Sequence, residues 1–510
     1  MVLGISGGHE KNAASNAQST TLTAGKDINV NTNHLVDVGT QYQGGGNVNL
    51  NSQTHNIQSA QNTKQNEKLT AGVTIGVSAS TKDFATANVG VNAGIHFQKD
   101  QSNSTTAHKA NVQGGNVNIT TGTLNSQGDI SAKNNVNINA DKANFTQSQN
   151  TSSHKGGGFT LNVGVGAIVI PAASAAVPSV DVNFTANGHK GNRTDAVLHN
   201  VQGGNNVGIH GKDGVSLQGT NVEAGNSVSI TGNTVNVQPG KSQVQDLNVS
   251  VGGGVSVGAN TSSLGINGNV NVQHENSTTH PGVSINGKNV NITAENGVNL
   301  TGVSSNSTNL TLDGGKGDVN LNAAKNNVNK TGVDVGLSLS GGISENKWTP
   351  AEGSGKLNVD VVRNETHTTT DLNAQNATIS GNNAHFNGSS INAENMNNNL
   401  TGSITTTPVT DKINETSVHL SANGSGKFTP YPADKWAESA KKDWDNGTIA
   451  GVKADVNVKV DSTKTETVKQ GGINPPKPQV VKNQVVKTNI SLTTNQKARL
   501  EHMMKARRRR

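Results

Sequence analysis

The stretch that decides the fold is GKNVNITAENGVNLTG, residues 287–302. Val290, Ile292, Val298 and Leu300 alternate with Asn291, Thr293, Asn299 and Thr301, the period of a strand with one face buried and one wet. Asn296 and Gly297 separate the two runs and supply the positive φ that a tight corner needs. The same unit recurs as GKDINVNT from Gly25, GGNVNLNS from Gly45, GGNVNITTG from Gly114, GGNNVGIHG from Gly203, GNSVSITGN from Gly225 and GKGDVNLNA from Gly315. Several successive starts lie about 20 residues apart. One such unit cannot bury its apolar face alone, but units stacked in register close a narrow interior of Val, Ile and Leu. The expectation is all-β: an elongated parallel β-helix, with a small mixed segment at the C-terminal end. If the repeats filled the chain with about 20 coils rising ~4.8 Å each, the rod would reach on the order of 100 Å.

Composition points the same way. Of 510 residues, only 31% are hydrophobic, 2% aromatic and 15% charged, with 60 Gly and about 74 Asn. A large globular core is built from nearer 45–50% apolar residues. Disorder would bring Pro and charge, whereas this chain has 11 Pro and regularly spaced Val, Ile and Thr. Cys is absent, which excludes disulfides, a thiolate nucleophile and Cys-ligated zinc. The net charge of +6 resides in KARLEHMMKARRRR, residues 497–510, where seven basic groups face Glu501. The rest of the chain is neutral, so no nucleic acid is expected as a partner.

A longer period lies above the short one. LTAGVTIGVSAS (69–80), FTLNVGVGAIVI (159–170), LNVSVGGGVSVGAN (247–260) and VDVGLSLSGGIS (333–344) start 90, 88 and 86 residues apart. They divide residues 20–428 into four modules of about 86 residues. These strands either join the coils or pack as an antiparallel excursion; their alternation fits both. Residues 1–19 read as a flexible N-terminus. Residues 429–473 read as a small α+β segment, with Trp436 and Trp444 on a short helix and 449–468 as strand. Residues 474–510 read as a Pro linker (NPPKPQ, 474–479) and a basic helical tail capped by Thr494.

The GGNVNI-type units, the GVTIGVSAS strand and the module period resemble the haemagglutinin-repeat region of filamentous haemagglutinin-like exoproteins, over about residues 13–428. These are two-partner-secretion adhesins of Gram-negative bacteria, among them contact-dependent growth inhibition toxins. The resemblance implies a β-helical filament on the bacterial cell surface, exported through an outer-membrane two-partner-secretion transporter. It implies a host or bacterial cell-surface receptor or glycan as partner, and a stalk that presents binding or toxin modules. In the growth-inhibition branch it also implies delivery at the target-cell outer membrane, with possible membrane contact. MVLGISGGHEKNAAS has no signal-peptide pattern, and neither the secretion-domain motif nor the pre-toxin Val-Glu-Asn-Asn is found. An internal or truncated piece of a larger exoprotein, or a decayed reading frame, is therefore expected.

No chemistry-bearing constellation emerges, and the expectation is no enzyme, no catalytic residue, no metal site and no cofactor. His189, His199 and His210 lie ten and eleven residues apart, half a coil, and read as exposed corner histidines. DGGKGDVNL (313–321) approaches a calcium-binding nonapeptide but reads as an ordinary turn. The GGG triplets at 44–46, 156–158 and 252–254 lack the Lys-Ser/Thr ending of a phosphate loop and read as corners. A polysaccharide-binding or -cleaving β-helix is the enzymatic rival, disfavoured by the shortage of aromatics to wall a cleft.

Overall fold

The computed structural model describes residues 2–83, 86–170, 175–258, 263–344, 347–426 and 453–495. The described residues are all-β and fall into two sheet systems, one of 24 short, mostly parallel strands and one of 12 long antiparallel strands.

The parallel system is the β-helix. Ile28, Val48, Val117, Val136, Val207, Val228, Val290, Leu310, Ala377 and Met396 stand in one register column, one residue per coil. Two residues on, Leu50, Ile119, Ile138, Ile209, Ile230, Ile292, Leu312 and Ile379 form a second column, each at most 2% exposed. Pleating sends every second side chain inward, so the alternation seen in the sequence fills a single continuous core. Burying each such side chain is worth ~1.5–3 kcal/mol. At the corners Gly39, Gly219, Gly302 and Gly388 have φ of 65, 63, 62 and 60°, conformations in which a Cβ is strained.

The antiparallel system answers the question left open by the Gly-alternating strands. Residues 69–80 lie in Ala60–Asp83, which pairs with Thr86–His108 as a long hairpin. Ser148–Ile170 pairs with Ala175–Val197, Ser242–Gly258 with Ser263–Thr279, and Ala324–Ser344 with Lys347–Thr368 in the same way. Each returning arm then pairs with the outgoing arm of the next hairpin, giving one uninterrupted sheet along the rod. A coil rises by the spacing of one strand pair, ~4.8 Å, and every coil carries one arm. Two coils and one hairpin therefore make a module, and both stacks advance in step.

Four expectations are corrected. The hairpins consume about half of every module, so the described chain holds ten coils and the rod is ~45 Å long instead of ~100 Å. Val2–Ser15, read as a flexible N-terminus, is a strand paired along its length with residues 63–76. Gln479–Asn495, assigned to the Pro linker and helical tail, is an antiparallel strand of the hairpin sheet paired with Lys453–Lys469, itself a strand within the stretch read as one, so Thr494 lies in a strand instead of capping a helix. Gly156, Gly157 and Gly158, read as a corner, sit inside an arm, where a Cβ on Gly158 would come 2.3 Å from the Phe97 carbonyl oxygen. Trp436, Trp444 and residues 497–510 lie outside the described residues.

Candidate functional site

Three features of the surface and interior carry chemistry, and each follows from the stacking. The first is a ladder of asparagines on the rod. Asn116 Nδ2 donates to Asn47 Oδ1 (2.8 Å), Asn135 to Asn116 (3.2 Å), Asn206 to Asn135 (3.0 Å) and Asn226 to Asn206 (3.1 Å). The run continues through Asn289, Asn309, Asn376 and Asn395 at 3.5, 2.8, 2.9 and 2.9 Å. Each amide donates to one coil and accepts from the next, which a side chain with both groups can do only where the repeat is in register. Asn474, the one described non-Gly residue with positive φ (46°), ends the parallel stack. Its side chain accepts from Ala393 N–H and donates to the Ala393 carbonyl (2.8 and 3.0 Å), replacing a strand at the open edge.

The second feature is the amphipathic hairpin sheet. Phe97, Phe159, Ala186, Val251, Val270, Val335, Leu357, Leu420, Val458 and Ile490 form one cross-strand row. Val91, Val165, Val180, Val257 and Leu264 form another, 39–50% exposed. The opposite face reads His96, Thr160, Thr185, Gly252, Asn269, Gly336, Lys356, Ser421, Asn457 and Ser491. One face is thus apolar across ten strands and the other polar, with the apolar side lying open.

The third is a set of polar knots. In the first coils Asp37, Tyr42 and His55 lie within the core, all at most 4% exposed. Tyr42 OH donates to Asp37 Oδ1 (2.8 Å) and His55 Nε2 lies 2.8 Å from Asp37 Oδ2. Burial, then the hydrogen bond to Asp37 and its charge, push the Tyr42 phenol well above its usual value. Where the second hairpin leaves the rod, Ser148 N–H donates to His199 Nε2 (2.9 Å), and Ser148 Oγ also contacts Ser59 Oγ. Asp129 Oδ1 lies 3.8 Å from His199 Nδ1, and Lys109 pairs with Asp129 at 2.6 Å. Burial alone would raise the Asp129 carboxyl, but the His199 ring, Lys109 and the Asn200 N–H outweigh it and hold the group below the usual carboxylate range. A Ser, a His and an Asp come together here, but Ser148 and His199 are buried at 3% and 0% exposure. The knot ties hairpin to coil.

The three singled-out histidines do not converge. His210 lies on the rod surface with Nδ1 2.8 Å from Thr231 Oγ1. His189 lies on the polar face of the hairpin sheet, 3.5 Å from Asp100. His199 is buried, which corrects its reading as an exposed corner. His55 was missed, although it stands where neighbouring coils have Leu35 and Leu124, an inward phase that could have flagged it. In the 313–321 stretch Asp313 Oδ1 accepts from Gly315 N–H (3.0 Å) and Asp318 Oδ1 from Asn383 N–H (3.0 Å), so both carboxylates serve the turn. A shallow depression of about 370 Å³ on the polar face is lined by Ser338, Ser354, Glu352 and Asp455. Among the described residues no group of three or more His, Asp or Glu is placed to hold a metal, and no helix is long and apolar enough to cross a membrane.

Comparison with known proteins gives one result. A family model described as hemagglutinin repeat matches residues 3–128, 180–280 and 264–424, well over half of the chain. No curated protein matches, and no solved structure matches.

Proposed function

The chain belongs to the hemagglutinin-repeat family, and from that premise we propose that it is a non-enzymatic structural segment of a filamentous haemagglutinin-like surface protein. It acts as a stiff spacer that holds binding or toxic modules away from the bacterium. The observation that carries this reading is the unbroken stack of ten coils, with one continuous core inside and a ladder of Asn amides outside. Repeats coupled only to their neighbours make a rod whose resistance to bending and pulling is spread along its length. Export through an outer-membrane transporter, residence at the cell surface and weak multivalent contact with receptors or glycans along the Asn face complete the proposal. Force spectroscopy tests it. Pulled from its ends, the chain should yield in steps that each release one module of about 88 residues, or roughly 300 Å of contour. Smooth extension at low force, without steps of that size, would count against a load-bearing rod.

A second reading, delivery at the outer membrane of a target cell, is favoured by the hairpin sheet. Its apolar rows span about nine residues along each arm, close to the ~9–11 that cross a membrane as β-strand. Flotation of the chain with lipid vesicles tests this; failure to float with any composition removes it.

A further inference from the structure

The apolar face of the hairpin sheet needs a cover in water, and the structure narrows what that cover is. Val165 and Phe159, on the second of the ten strands, are 50% and 49% exposed, and Val257 and Leu264, in the same row as Val165, are 45% and 48% exposed. These are not scattered residues but aligned rows, so the exposure is one contiguous patch. Ten strands at ~4.8 Å span about 48 Å and four apolar rows, three spacings of ~6.8 Å, span about 20 Å, which gives roughly 1,000 Å² of sheet. We propose that this face is covered by the same face of a second copy of the chain, forming a two-layered β-sandwich between two rods.

Three considerations select a second copy. Pairing two such faces removes roughly 2,000 Å², at the boundary between ordinary and obligate interfaces. Two sheets face to face, ~10 Å apart with inward side chains interdigitated, are a standard way to bury an alternating strand pattern. The patch is self-complementary in chemistry, being apolar throughout, which a two-fold interface requires because each copy presents the same residues. A bilayer is a poorer cover for the sheet as it stands. Lipid around it would also meet the opposite face, which carries Asp181, Asp334 and Lys356. The second copy touches only the apolar side. This proposal is independent of the load-bearing role: a rod can be stiff whether single or paired.

The absence of Cys gives a clean test on the full chain, because one introduced thiol reports one position. Val165→Cys places it on the apolar face and Thr185→Cys on the polar face. Sedimentation across a wide concentration range is combined with labelling by a charged maleimide. The expected result is a concentration-dependent dimer in which labelling at 165 slows about tenfold or more while labelling at 185 is unchanged. Val255→Asp, on the same apolar face, should weaken the dimer by at least about tenfold. If that variant misfolds by circular dichroism, the thiol pair decides alone. A monomer at every concentration, or equal labelling at both positions, overturns the proposal. Protection at 165 that arises only on adding vesicles also overturns it, and makes lipid the occupant.

Discussion

Removing one coil should do more harm than removing a whole module. The pairings define both cuts. Val228 stacks directly on Val207, 21 residues earlier in the chain, so deleting residues 207–227 rejoins equivalent points on the rod. Ser148 lies 89 residues after Ser59 at the corresponding place, so deleting residues 110–198 joins Lys109 to His199 and removes two coils with their hairpin. Both products keep a continuous core. They differ at the hairpins. After the module deletion each remaining coil still carries one arm. After the coil deletion the arm 175–197 and the arm 242–258 leave the same level, ~4.8 Å too close along the axis. The ladder between them has 16 register pairs, from Ser179–Gly258 to Thr194–Gln243. At ~0.5–1.5 kcal/mol net per hydrogen bond, losing it costs on the order of 10 kcal/mol. Hydrogen exchange is the assay. The amides of 175–197 and 242–258 that face one another should lose protection in the one-coil deletion, while those that face 148–170 and 263–279 keep it, and 242–258 stays protected on both sides in the two-coil deletion. Equal protection in both would refute the coupling of one arm to one coil.

Other consequences can be checked more simply. Ile209→Ala, between Ile138 and Ile230 in the core column, should cost about 2–5 kcal/mol, with exchange rising in the coils on either side and not at 371–407. Asn135→Ala removes a donor to Asn116 and an acceptor for Asn206, for roughly 1–2 kcal/mol in the denaturation midpoint. Because the Asp129 carboxyl is held below its unfolded value, it adds stability above about pH 4 that is lost as pH falls through the native value; Asp129→Asn should be less stable than the parent at neutral pH, and the gap should narrow as pH falls below about 4 in urea titrations. The Tyr42 phenol is shifted the other way, so its contribution is present below the usual phenol value of about 10 and lost as pH rises through the native one; in a Tyr431→Phe background, phenolate absorbance should be absent at pH ~10.5 and appear only when the first coils open.

The coil core was legible because three signals coincide at each unit: alternation, a Gly or Asn corner, and a spacing near 20. Val290, Ile292, Val298 and Leu300 read as inward, and all four are at most 1% exposed. The hairpins were not legible to the same degree. Val163 and Val165 alternate just as Val290 and Ile292 do, and alternation says only that one face is apolar, not what lies against it. Nor does it separate a glycine at a corner from one in a strand: Gly44 and Gly157 both stand in GGG, one at a turn of the rod and one between neighbouring arms. His199 was misread for a related reason. Its polarity suggested solvent, whereas its place at the root of a hairpin gives it the Ser148 amide as a partner and no solvent at all.

The arms also change what kind of solenoid this is. Coil strands are short, such as Val235–Gln238 and Val319–Asn322, and a stack held by them alone would open wherever one interface weakened. The arms are far longer, 23 residues in both Ser148–Ile170 and Ala175–Val197. Each boundary between modules is therefore closed twice, once by parallel pairing around a buried core and once by a longer antiparallel ladder outside it. Within one chain the second closure buries little apolar surface, since one face of the sheet is polar and the other has no cover from the same chain. It contributes hydrogen bonds and register instead: a coil cannot slip by one residue without turning the apolar row of its arm to the polar side. The core supplies the hydrophobic stabilisation and the arms fix the phase, which is why a chain this poor in large apolar side chains can still hold one long, regular structure.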